Sequence, residues 1–155
     1  MHEWHDFFVA QVGATAALVG LLFVAVSINL EKILKFRHLP ARAMEAILVL
    51  TCVLAISTCA LVPGLHEVTY GVTIALTGFM TWLLLLRALL YTRRSGYESV
   101  LRILLNQLPP LPFVVAGGLM ATGHPDGIYW ALPGTLLCIL SGIFSAWILL
   151  VEIQR

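Results

Sequence analysis

The charged side chains of this chain are confined to the ends of long apolar runs, and that spacing leaves few folds open. Five stretches, 7–30, 43–62, 68–92, 98–122 and 128–151, are apolar over most of their length and separated by short polar connectors. At about 1.5 Å per residue, some 20 residues as helix cross the ~30 Å hydrocarbon layer of a bilayer. The expected fold is all-α: a polytopic transmembrane helical bundle of five spans, forming one domain over 1–155. Composition agrees, with 60% apolar and 11% charged residues and a mean hydropathy of +0.96. Such values lie outside the range of soluble domains. The first run is too long for a signal-peptide core and lacks a basic segment before it, so it is expected to be retained as a span.

Charge sign fixes the expected orientation. Lys32, Lys35, Arg37, Arg42, Arg87, Arg93, Arg94, Arg102 and Arg155 fall at one end of the runs. His2, His5, His66 and His124, with Glu3, Asp6, Glu67 and Asp126, fall at the other. Basic residues stay cytoplasmic, which puts the N-terminus outside and the C-terminus in the cytoplasm. Glu31, Glu45, Glu98 and Glu152 are assigned to the basic side with them. Trp4, Tyr70, Tyr129 and Trp130 are expected to mark one interface, and Tyr91, Tyr97 and Trp147 the other. Asp6 is the expected cap of the first helix.

The fourth run is the irregular one. Segment 97–108 is amphipathic and is followed by Pro109, Pro110 and Pro112, which remove amide donors and release carbonyls one turn back. A span broken by these prolines is favoured over a helix lying on the cytoplasmic surface, because 109–122 alone is only about 21 Å long as helix. Asn106 and Gln107 stand in the turn that loses its partners, and broken helices of this kind line cavities or binding sites in transporters.

Three other patterns invite a functional reading. In the first run Gly13, Gly20 and Ser27, flanked by Ala10 and Ala17, recur at spacing seven. Such a small-residue stripe lets another helix approach closely, either within the monomer or as a homo-oligomeric seam. In the third run Thr69, Thr73, Thr77 and Thr81 recur at spacing four. Thr73, Thr77 and Thr81 line a polar path with Asn106 and Gln107, or else bond back to their own helix. Finally, His2, His5, His66, Glu67, His124 and Asp126 form an acidic, imidazole-rich set of the kind that binds divalent metal or senses pH.

Catalytic motifs are missing. The sequence holds no H-E-x-x-H, G-x-S-x-G, Walker or Rossmann pattern, and the central thirds of the runs contain no charged residue or histidine. An enzyme is not expected, nor a cofactor beyond a divalent metal at the outer histidines, nor a nucleic-acid partner. Cys52, Cys59 and Cys138 lie inside apolar runs without a C-x-x-C pair and read as reduced packing residues.

The stretch Trp4-His-Asp-Phe-Phe8, followed by Gly13-Ala-Thr-Ala-Ala17 and Gly20-Leu-Leu-Phe-Val-Ala-Val-Ser-Ile-Asn-Leu30, resembles a widespread group of small bacterial membrane proteins. These share a W-x-x-F-F start and a G-L-x-F-V-A-x-S-x-N-L end to the first helix, and some are labelled modulators of the membrane protease FtsH. The resemblance covers about the first third of the chain and implies a bacterial inner-membrane protein. It carries no catalytic residue. Three functions are therefore expected in turn: an oligomeric channel or pore for ions or small solutes, a regulatory or adaptor subunit without a pore, and a metal or pH sensor. The expected partners are the lipid bilayer, further copies of the chain and another membrane protein.

Overall fold

The computed structural model describes residues 4–35, 39–93, 103 and 106–154. Its elements are α1 (His5–Ile28), α2 (Leu30–Lys35), α3 (Leu39–Ala60), α4 (Glu67–Arg93), α5 (Leu111–Ala121), a 3-10 turn (Pro125–Trp130) and α6 (Ala131–Gln154). The chain is all-helical among the described residues. Four helical stretches, His5–Ile28, Leu39–Ala60, Glu67–Leu90 and Pro125–Val151, are long and apolar enough to cross a membrane. The fourth expected span is represented by α5, whose 11 residues give only about 16 Å. Most of the amphipathic part of that span, with Glu98 and Arg102, lies outside the described residues.

Helix ends follow local chemistry. The first helix stops two residues before the expected Leu30, where Asn29 folds its side chain back and Nδ2 donates to the Ala25 carbonyl at 2.9 Å. A separate amphipathic turn, α2, follows. Asp6 is not the cap: α1 starts at His5, and Trp4 precedes it without a side-chain cap bond. The Trp4 ring instead packs edge-on against Phe7 and Tyr129, with centroids 5.5 and 5.1 Å away. Helix α3 begins at Leu39 rather than 43, with Pro40 in its first turn, where a missing amide costs nothing. Gly64 and Gly123, just past α3 and α5, take φ of +73° and +85°, a conformation that only glycine adopts cheaply.

The central element is α3, which packs against α1, α4 and α6. At one end of the bundle Phe8, Val53, Ile56, Tyr70, Phe113, Met120 and Ile128 share a core. Further along, Leu22, Ala46 and Leu50 join α1 to α3. At the basic end Ile33 of α2 tucks against Leu39, Ala43 and Leu149. Tyr70 is no interfacial anchor. It is fully buried, 6.1 Å from the Phe8 ring, with its hydroxyl 3.4 Å from the Ile56 carbonyl.

Helices α4 and α5 run antiparallel at backbone contact. A Cβ on Gly71 would stand 2.6 Å from Met120 Cβ, and one on Gly78 3.0 Å from Phe113 Cβ. A Cβ on Gly117 would overlap the Ala75 backbone and the Gly71 carbonyl. Gly78 lies 11 residues into α4, about 17 Å along its axis. Because Gly78 also faces the Pro110 carbonyl, the turn at Pro109 and Pro110 sits near the middle of the bundle's long dimension.

Candidate functional site

The main polar feature at that depth centres on Glu45. Sequence reading placed it with the surface charges of the basic side; in the structure it is 3% exposed. Starting α3 at Leu39 puts Glu45 in the second turn, about 9 Å along the helix. It shares a helical face with Val49, Cys52 and Ile56, all buried. Asn106, 6% exposed, donates from Nδ2 to Glu45 Oε2 at 2.5 Å. A carboxylate only accepts, so the bond fixes which end of the Asn106 amide faces it. The neighbouring Gln107 has both amide atoms buried without a hydrogen-bond partner. Carboxylate, amides and the proline turn thus form one polar locus inside the bundle, where ionisable groups are costly and usually functional.

A second buried polar group joins α1 to α3. Ser57, 0% exposed, has Oγ 2.8 Å from both Gln11 Oε1 and the Val53 carbonyl, and Thr15 Oγ1 donates to the Gln11 carbonyl at 2.6 Å. One hydroxyl proton serves those two acceptors, while Gln11 Nε2 is buried without a partner. Sequence reading missed Gln11 and Ser57. Their signal was periodicity, since Phe8, Gln11, Thr15 and Leu22 form the buried stripe of α1.

The threonine column of α4 bonds to its own helix. Thr73 Oγ1 donates to the Thr69 carbonyl at 2.9 Å and Thr81 Oγ1 to the Thr77 carbonyl at 2.8 Å. Thr81 is buried against α3, within hydrogen-bonding reach of the Cys52 thiol. Cys138, Ser141 and Gly142 of α6 are likewise buried, Gly142 closely against Leu50.

The small-residue stripe of α1 points the other way. Ala10, Gly13, Ala17, Gly20 and Ser27 are all exposed, and a Cβ on Gly13 or Gly20 would meet nothing within 4 Å. Among the described residues no neighbouring helix covers Gly13 or Gly20. The neighbouring Phe23, Val24 and Ile28 are also exposed.

At the opposite end from the lysines, His5, His66 and His124 are exposed. His124 Nδ1 lies 3.3 Å from Thr122 Oγ1. Glu67 and Asp126 come together with Trp4 and Tyr129 around a shallow pocket of about 160 Å³. Among the described residues no three His, Cys, Asp or Glu side chains are grouped to hold a metal ion; His2 lies outside those residues. No protein-family model matches the chain, and no curated protein or solved structure matches it.

Proposed function

We propose that this is a non-enzymatic, multi-pass membrane protein acting as a regulatory or adaptor subunit, assembled through α1. The supporting observation is the open surface at Gly13 and Gly20. Elsewhere the bundle brings helices to contact at Gly71, Gly78, Gly117 and Gly142, whereas α1 presents the same kind of surface with nothing within 4 Å of a Cβ at Gly13 or Gly20 among the described residues. In lipid, hydrophobicity gives helices no preference for one another, so close backbone approach across small residues supplies the association. All copies insert in one orientation, so two α1 helices meet in parallel and the stripe faces itself across a twofold axis. A repeat of seven suits a shallow crossing of about +20°. The resemblance of this helix to the bacterial group containing protease modulators agrees with such a role, in the inner membrane with the basic end cytoplasmic.

The test is disulfide cross-linking in membranes. In a background with Cys52, Cys59 and Cys138 replaced by Ala, Gly13→Cys and Gly20→Cys should each form a dimer under mild oxidation. Leu76→Cys, exposed on α4, should not. Equal cross-linking at Leu76, or none at either glycine, overturns the proposal.

A second reading, an oligomeric pore for ions or small solutes, draws on the Glu45, Asn106 and Gln107 locus at the proline turn. Liposomes bearing the protein should then pass ions, with the flux reduced in Glu45→Gln; liposomes tight to several ions end that reading.

A further inference from the structure

Helices α1 and α6 both pack against α3 but leave a groove between them. It has a volume of about 370 Å³ and is lined among others by Leu18, Ala25, Leu50, Ile143, Ala146 and Leu149. The lining is apolar throughout. Spread over the roughly 10 Å from Leu18 to Ala25, this volume has a cross-section of about 35 Å². That leaves room for one extended hydrocarbon chain. The groove opens sideways from helices long enough to span a bilayer, where extended hydrocarbon means a lipid tail.

Its basic end supplies a headgroup contact. Leu149 lines the groove and also packs against Ile33 of α2, so α2 lies across the groove's end. Lys32 and Lys35 flank Ile33 and are exposed, as are Leu30 and Leu34. Glu31, also exposed, offsets part of their charge. A short helix with Ile33 in the bundle and exposed leucines and lysines around it suits the membrane surface, where cationic side chains attract anionic headgroups. This groove is on a different flank from the Gly13 and Gly20 stripe, roughly 150° around α1.

We infer that the α1–α6 groove is a binding site for one anionic phospholipid, its acyl tail between Leu18 and Leu149 and its phosphate at Lys32 and Lys35. The site does not depend on self-association through α1.

Native mass spectrometry of the full chain in mild detergent tests this, with dioleoyl phosphatidylglycerol and dioleoyl phosphatidylcholine as probes. One phosphatidylglycerol should be retained at about tenfold lower lipid concentration than phosphatidylcholine, the size expected for two lysines partly offset by one glutamate. Lys32→Gln with Lys35→Gln should abolish that preference. Ala25→Leu, which narrows the groove from the lightly packed α1, should remove retention of both lipids with helicity by circular dichroism unchanged. Equal retention of the two lipids by the native chain, or an unaltered preference in the double lysine variant, overturns the assignment. So does undiminished retention in Ala25→Leu. If Ala25→Leu breaks a dimer while lipid retention persists, the groove belongs to a second copy and the assignment falls.

Discussion

Asn106 Nδ2 donates to Glu45 Oε2 at 2.5 Å, tying the segment just before the proline turn to the second turn of α3. Both residues are almost fully buried.

Asn106→Leu should destabilise the protein by about 1.5–3 kcal/mol, the range for a hydrogen bond to a charged group. Glu45→Gln should cost less, because its amide oxygen still accepts from Asn106. Reversible unfolding in mixed micelles measures both. An order reversed between the two variants would mean that the carboxylate's charge, rather than its bond to Asn106, is what holds the site.

The α4–α5 contact gives a paired prediction. Gly117→Ala pushes a methyl into the Ala75 and Gly71 backbone, where no side chain can yield. Its cost should exceed the ~1–3 kcal/mol usual for overpacking. Gly118→Ala, one residue on, meets open space and should be neutral or stabilising by up to ~1 kcal/mol, since alanine is the better helix former. Thermal unfolding of the two side by side decides the matter; equal stabilities would refute backbone contact between these helices.

At the Gln11–Ser57 pair the two partners should behave unequally. Ser57→Ala removes the hydroxyl that reaches Gln11 and should cost about 0.6 kcal/mol, at most ~1.7, as for other polar contacts between membrane helices. Gln11→Leu leaves Ser57 bonded to the Val53 carbonyl and removes a buried amide nitrogen that has no partner. Losing an unsatisfied group is neutral or favourable, so Gln11→Leu should unfold no earlier than the native protein. A larger loss there than at Ser57 would place a further partner on Gln11.

Much of the bundle was legible because hydropathy runs and charge segregation are strong signals at spanning length. The runs at 7–30, 43–62, 68–92 and 128–151 match four long helices to within a few residues. What slipped was set by boundaries and by facing. Starting the second run at 43 made Glu45 an interfacial charge, whereas the helix starts one turn earlier and carries it inside. Tyr70 read as an interface marker from its position near a helix end, but its side faces Phe8 and α3. The threonine and glycine columns have the same kind of spacing in sequence, and only packing separates them. Gly71, Gly78 and Thr81 lie against neighbouring helices, while Gly13 and Gly20 are bare.

That bare surface carries the central claim, and Gly20→Leu tests it most directly because a Cβ there meets nothing within 4 Å among the described residues. Fluorophore-labelled protein, reconstituted in lipid vesicles at increasing density, would be counted by single-molecule photobleaching. The native chain should pass from one-step to two-step bleaching as density rises. Gly20→Leu should remain one-step at every density, with unchanged helicity and thermal stability. A variant that dimerises like the native chain, or a native chain that stays monomeric throughout, contradicts the account.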